Sequence, residues 1–131
     1  MSPAPERPAG RTAGAVRAHV VCAASELPPG RRRIVELDGS SVGVFNVAGT
    51  FYALRNRCPH RGGPLCLGPV AGTVLPTDDR SHPYGREGEI LRCAWHGWEF
   101  DLRTGRALVD PSVCARAYRV TVEDGQVVVS T

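Results

Sequence analysis

Three dipeptides, Asp38-Gly39, Ala48-Gly49 and Asp124-Gly125, each stand between two short runs of apolar and β-branched residues. This is the spacing of a two-residue β-hairpin turn, and it constrains the fold more than any other feature of the chain. Arg32–Leu37 runs into the first turn. Val42–Val47 and Thr50–Leu54 flank the second, and Ala117–Glu123 and Gln126–Val129 flank the third. Ala15–Ala23, Leu91–Cys93 and Trp98–Leu102 also read as extended, with Thr104-Gly105 turning the chain toward Ala107–Val109. No segment keeps an apolar period of about 3.6 residues over three turns, so long helices are a poor fit. The 131 residues carry 15 Gly and 11 Pro, a density that keeps every piece short. The expected fold is all-β, one small antiparallel sandwich or barrel.

Composition and charge narrow function by exclusion. No uncharged run exceeds the 16 residues of Gly39–Leu54, and a spanning helix needs about 20 apolar residues, so no membrane partner is expected. The N-terminal stretch has no apolar run of signal-peptide length. Residues 1–14, rich in Pro, Ala and Gly, read as a disordered lead-in to a domain over 15–131. All 16 basic residues are Arg, against 13 acidic ones, for a net charge of +3. The excess lies in the tail (Arg7, Arg11, Arg17) and in Arg31–Arg33, with no interleaved aromatics, so no nucleic-acid partner is expected. Five Cys is an odd number in a chain with no export signal, which argues for a cytoplasmic, reducing setting rather than a disulfide framework. There, clustered Cys and His point to metal binding or catalysis.

Two such clusters occur, Cys58-Pro59-His60 and Cys93-Ala94-Trp95-His96, each following an extended segment. They bound a 38-residue stretch, Arg55–Arg92, so dense in Gly and Pro that it reads as irregular. Two thiolates suit iron–sulfur or zinc, and two imidazoles suit iron, zinc or copper. Structural zinc usually takes Cys-x₂₋₄-Cys and His-x₃₋₅-His spacing. Here each loop mixes one Cys with one His, which matches a binuclear [2Fe–2S] centre with two Cys on one iron and two His on the other. Zinc on the same loops is the rival.

CPHRGGPL (58–65), CAWHGWEFDLRTGR (93–106) and RVTVEDGQVVV (119–129) resemble the Rieske iron–sulfur family, and within it the ferredoxin-type branch that serves ring-hydroxylating oxygenases. LPPGRRRIVELDGSSVGVFNVAGTFYALRNRCPH fits the same domain, so the likeness runs from about 16 to 130. It implies a Rieske-like antiparallel β-sandwich or barrel with a smaller cluster-binding subdomain of two loops, about 55–110. It also implies one [2Fe–2S] cluster, with Cys58 and Cys93 on the inner iron and His60 and His96 on the outer. Gly62, Gly63 and Gly97 would let backbone N–H groups approach sulfur, since no Cβ blocks them. Trp95 and Trp98 would shield the cluster, and Pro111 would belong to a third loop that covers it. Arg57 and Arg61 bracket the first motif and would face an acidic partner.

Several departures from the family pattern carry information. The interval 61–92 spans 32 residues, longer than usual, and its extra segment, about 75–89, is expected to loop away from the sheet. Respiratory members carry a disulfide at the positions of Gly63 and Trp95, which cannot form here. They carry hydroxyl donors at the positions of Trp98 and Phe100. Donors to sulfur raise the potential, so a low-potential cluster is expected. The implied function is one-electron transfer from a reductase, often flavin-containing, to an oxygenase. The alternative is a fixed small Rieske subunit of a larger nitrite- or arsenite-type enzyme. Terminal oxygenases add a mononuclear iron on two His and a carboxylate, but no His occurs in the 35 residues after His96, so catalysis alone is not expected. His19 and His82 fall outside any ligand spacing. Cys22 and Cys114 are expected as small buried side chains in strands; Cys66 is harder to place, an exposed, oxidation-sensitive thiol being one reading.

Overall fold

The computed structural model describes residues 17–59, 62–75, 84–95 and 97–131. Nine strands form among them: β1 (Ala18–Ala23), β2 (Arg32–Leu37), β3 (Ser40–Val47), β4 (Thr50–Arg55), β5 (Val70–Val74), β6 (Tyr84–Arg92), β7 (Glu99–Asp101), β8 (Ala117–Glu123) and β9 (Gln126–Ser130). They make a six-stranded sheet in the order β1-β9-β8-β4-β3-β2 and a three-stranded sheet β5-β6-β7. Every pairing within them is antiparallel. The all-β expectation holds.

The three hairpins form as the sequence reads. Both turn residues have positive φ in each: 51° and 80° at Asp38-Gly39, 52° and 93° at Ala48-Gly49, 52° and 75° at Asp124-Gly125. That pair of angles defines the type I′ turn, whose twist matches its strands. Ala48 is an unfavourable residue for it, and Asn46 compensates. Its Oδ1 accepts the Gly49 N–H at 2.9 Å while its Nδ2 donates to the Leu27 carbonyl at 2.8 Å.

The edges of the large sheet, β1 and β2, are bridged by side chains. Asp38, at the end of β2, accepts the Thr131 hydroxyl at 2.8 Å. It also faces His19 Nε2 at 3.2 Å and Arg17 Nη1 at 3.4 Å. The sheet thereby comes close to a closed barrel, which leaves little open edge for another chain to pair with.

Alternation along β3 divides the interior. Val42 and Val44 point into the barrel with Cys22, Leu37, Ala53, Val127 and Val129. Phe45 points the other way and packs with Leu54, Leu65, Leu91, Phe100 and Leu102 under the small sheet. Both faces of β3 and β4 are thus covered, so this hairpin reads as a nearly continuous apolar run. Each fully buried Leu or Phe there contributes about 1.5–3 kcal/mol.

The Arg55–Arg92 stretch is not irregular throughout. Val70–Val74 and Tyr84–Arg92 pair as strands, and Ile90 and Leu91 are fully buried. Residues 76–83 of the expected excursion, like the 1–14 lead-in, lie outside the described residues, and 84–89 belong to β6 rather than looping away. The ladder runs Ala71↔Ile90 and then Thr73↔Gly85, so Arg86–Glu89 bulge out of it, with Arg86 at φ 55°. The bulge turns back toward the large sheet, where a Cβ on Gly88 would lie 3.1 Å from Val47 Cγ1. Gly and Pro density concealed a strand pair whose ladder is interrupted by this bulge. Past Thr104-Gly105 the chain turns back toward Ala107–Val109, where Ala107 makes an isolated bridge to Phe100.

The bulge is pinned by Arg86, which donates to Glu89 Oε1 at 2.9 Å and to Asp101 Oδ2 at 2.6 Å. Burial opposes ionisation of Asp101, but the Arg103 N–H, the Arg86 guanidinium and the Thr104 N–H together hold its carboxyl below the usual value of 3.8. A carboxyl depressed on folding stabilises the native state above its unfolded pKa, and that stability is lost as pH falls through the folded value. Chemical denaturation between pH 6 and 3 is therefore expected to show the wild type weakening below about pH 4. Asp101→Asn, less stable at neutral pH, should lose less over the same window; parallel curves would remove Asp101 from the acid response.

Candidate metal centre

Cys58 follows β4 and Cys93 follows β6, so the two sheets each deliver one thiol to the core between them. Both are buried, at 0% and 1% exposure, within the same apolar cluster. No disulfide joins any of the five cysteines. The two loops share one backbone design despite their different Cys–His spacing. In the first, the Cys58 N–H donates to the Gly63 carbonyl at 2.8 Å and the Gly62 N–H to the Cys58 carbonyl at 2.6 Å. In the second, the Cys93 N–H donates to the Trp98 carbonyl at 2.8 Å and the Gly97 N–H to the Cys93 carbonyl at 2.9 Å. Each loop is a tight turn begun by Cys and closed four residues later by a left-handed Gly, at φ 79° for Gly62 and 73° for Gly97. A residue with a Cβ is strained in that conformation.

The turns put sulfur inward and their middles outward: Pro59, Ala94, Trp95 and Gly97 are all exposed. His60, His96 and Arg61 lie outside the described residues. Two soft donors held out of water, on matched turns whose other motif residue is an imidazole, fit a centre bound by two Cys and two His.

The surrounding residues divide into those that touch these turns and those that do not. Gly63 meets the Trp95 ring, since a Cβ there would fall 2.6 Å from Cδ2. Trp95 itself is 59% exposed, so it lies at the surface end of the site rather than in the core. Trp98 is half-buried against Phe100, ring centroids 6.5 Å apart, and Phe100 is fully buried. The Arg57 guanidinium covers Gly62, 3.3 Å from where a Cβ would be. Of the third loop, Leu108 and Val109 line a cleft with Gly97 and Trp98. Pro111 is exposed, beside Asp110, whose carboxyl accepts the Ser112 hydroxyl at 2.6 Å and N–H at 3.1 Å and so sits below its usual pKa.

The other cysteines separate in an unexpected way. Cys22 is buried as expected, at 7% exposure. Cys66 is fully buried, not exposed. Its N–H donates to Asn56 Oδ1 at 2.8 Å, its carbonyl accepts Arg32 Nη1 at 2.8 Å, and its Sγ reaches the Leu54 carbonyl at 3.3 Å. Burial pushes its thiol up to about 12, which leaves it protonated and inert to oxidants. Cys114, expected to be buried, is exposed, because a single bridge to Arg106 gives it no sheet to pack into. His19 belongs to the barrel closure, and His82 lies outside the described residues.

Sequence reasoning missed two supports of the site. Arg32 on β2 reaches the carbonyls of Cys66 and Gly68, tying the barrel to the segment behind the first turn. Gly68 is pressed against the Arg92 carbonyl just before Cys93. A Gly-Pro pair marked that place as a turn and gave no sign of the close approach.

The Rieske [2Fe–2S] domain model matches residues 17–122. The chain belongs to that family. It is 30% identical over 111 residues to the 3-phenylpropionate/cinnamic acid dioxygenase ferredoxin subunit of Photorhabdus laumondii, covering 84% of this chain and 90% of that one. A chain in the complex of reduced oxygenase and oxidized ferredoxin in carbazole 1,9a-dioxygenase superposes with a TM-score of 0.67 at 29% identity, over 86% and 91% of the two chains. A Mycobacterium tuberculosis protein assigned as an NADH-dependent nitrite reductase small subunit superposes with a TM-score of 0.70 at 27% identity, over 89% and 96%. As a Rieske protein this chain takes one [2Fe–2S] cluster, and the matched turns carry thiols suited to it.

Proposed function

We propose that this Rieske protein is a ferredoxin, relaying single electrons from a flavin-containing reductase to an oxygenase in the cytoplasm. The cluster would be held by Cys58 and Cys93 on the buried side and by His60 and His96 on the outer side. The observation that carries this reading is the pair of matched turns, each placing one thiol in the shared core with its middle at the surface. When bound, the cluster supplies a one-electron couple. The chain supplies a rigid seat, an apolar wall of Leu65, Leu91 and Phe100 that excludes water behind the thiols, and an exposed rim where a partner can approach. Arg57 adds a positive charge to that rim, suited to a partner with an acidic border.

Phe100 lacks a hydroxyl and Trp98 offers only its indole N–H, so neither is the hydroxyl donor that would stabilise the reduced state. Iron and sulfide analysis of reconstituted protein is expected to give two of each per chain, with a rhombic EPR signal on reduction. Anaerobic potentiometric titration is expected to place the midpoint toward the low end of the Rieske range, about −150 mV. Zinc without sulfide would overturn the proposal, and a midpoint well above zero would overturn the roles of Trp98 and Phe100.

The likeness to the nitrite reductase small subunit supports a second reading, a Rieske subunit fixed in a larger redox enzyme. Gel filtration of native protein separates them: a diffusible ferredoxin elutes near 14.0 kDa, a fixed subunit with its partner.

A further inference from the structure

We infer that Trp95 is a clasp joining the tips of the two cluster turns, and that its contact with Gly63 sets how firmly the cluster is retained. This rests on the proposed seating of a cluster between the turns. Each turn is closed by its own backbone hydrogen bonds, which do nothing to hold one turn to the other. At their bases the turns are tied, because the Arg92 N–H donates to the Pro69 carbonyl at 3.0 Å and Gly68 abuts Arg92. At their tips, among the described residues, the indole of Trp95 on the second turn lies over Gly63 on the first.

Two facts mark this contact as more than incidental packing. Trp95 keeps 59% of its surface in water, so core burial does not account for its position. Gly63 is buried without a positive φ, so backbone conformation does not require glycine there; a Cβ is excluded by Trp95 Cδ2 at 2.6 Å and Cε3 at 2.8 Å. The indole also bears on the seat of Cys58, since the Gly63 carbonyl, just past the closing Gly62, holds the Cys58 N–H at 2.8 Å. Lifting the ring therefore frees the second tip to swing and loosens the seat of Cys58 together. A chelator that strips the thiolate-held iron needs such a swing, because both thiols are otherwise buried.

The test compares reconstituted wild type with Trp95→Ala, Trp95→Phe and Gly63→Ala, following loss of the visible cluster absorbance under excess chelator. Trp95→Ala and Gly63→Ala should bleach at least tenfold faster than wild type, and Trp95→Phe should restore most of the difference because a ring still covers Gly63. Urea midpoints of the same loaded proteins, read by far-UV circular dichroism, should stay close together. Equal bleaching rates in wild type and Trp95→Ala would overturn the clasp, as would faster bleaching matched by a parallel fall in urea midpoint. A wild type that binds no iron and sulfide would overturn the clasp and the cluster seating alike, whereas a loaded wild type with unchanged variants overturns the clasp alone.

Discussion

Cys93→Ala protein is expected to purify and reconstitute with essentially no iron or sulfide, and Cys58→Ala to behave the same way. Each substitution removes one of two soft donors and leaves an iron that the buried, apolar surroundings cannot satisfy. Water cannot fill the gap, because the neighbours are Leu65, Leu91 and Phe100, all at 0% exposure. The effect on the polypeptide is small by comparison. Deleting a sulfur from a packed site costs on the order of 1 kcal/mol through lost contacts and a residual cavity. Far-UV circular dichroism should therefore remain that of a β-protein while the metal disappears. Cys66→Ala is the control that makes the result specific. It removes a third thiol from the same apolar cluster, but one directed at the Leu54 carbonyl and seated against Gly43. It should keep both irons, and loss of iron from Cys66→Ala would mean that thiols in this core are not distinguished by position.

The second large effect is expected at Gly68. Its backbone angles, φ −79° and ψ 169°, suit any residue, so conformational strain plays no part. A Cβ built there falls 1.7 Å from the Arg92 carbonyl oxygen and 2.9 Å from its carbon. The strand end would have to retreat by more than an ångström, and it cannot do so freely, since the Arg92 N–H is bonded to Pro69, the very next residue, at 3.0 Å. Gly68→Ala should cost about 3 kcal/mol or more, at the upper end for single substitutions. That is a large share of the about 5–15 kcal/mol typical of a domain. Because Arg92 precedes Cys93, the same displacement should misplace the second thiol and reduce cluster occupancy. Denaturant midpoint and iron content are expected to fall together; a variant within about 0.5 kcal/mol of wild type would mean that the two segments separate without cost.

Legibility in the sequence followed the range of the interaction. The three hairpins were legible because a type I′ turn is set by two residues and the alternation beside them. The family and its cluster motifs were legible because Cys and His at those spacings have few other uses. The bulged β5–β6 pair was not, since the Thr73↔Gly85 register depends on four residues leaving the ladder, and pattern alone cannot place such a bulge. Cys66 was left unplaced by the sequence, and Cys114 was placed wrongly, for a related reason. The burial of Cys66 is imposed by Asn56, ten residues earlier in the chain, and by Arg32, thirty-four earlier. The equivalence of the two turns was hidden as well, because His60 stands two residues after its Cys and His96 three. What repeats is the position of the closing glycine.

The alternation along β3 makes that strand a party wall between two rooms. Its even-numbered residues, Val42 and Val44, furnish the barrel, while Phe45 one step on furnishes the side that holds the thiols. Damage to the wall is sorted by parity: a truncation at Val44 loosens the barrel first, and one at Phe45 loosens the seat of the thiols. A drift of one residue in the pairing of β3 with β4 would exchange the two sets, sending each side chain into the wrong room. The tight turn at Ala48-Gly49, braced by Asn46, fixes that pairing, so a hairpin turn decides which residues reach the thiols.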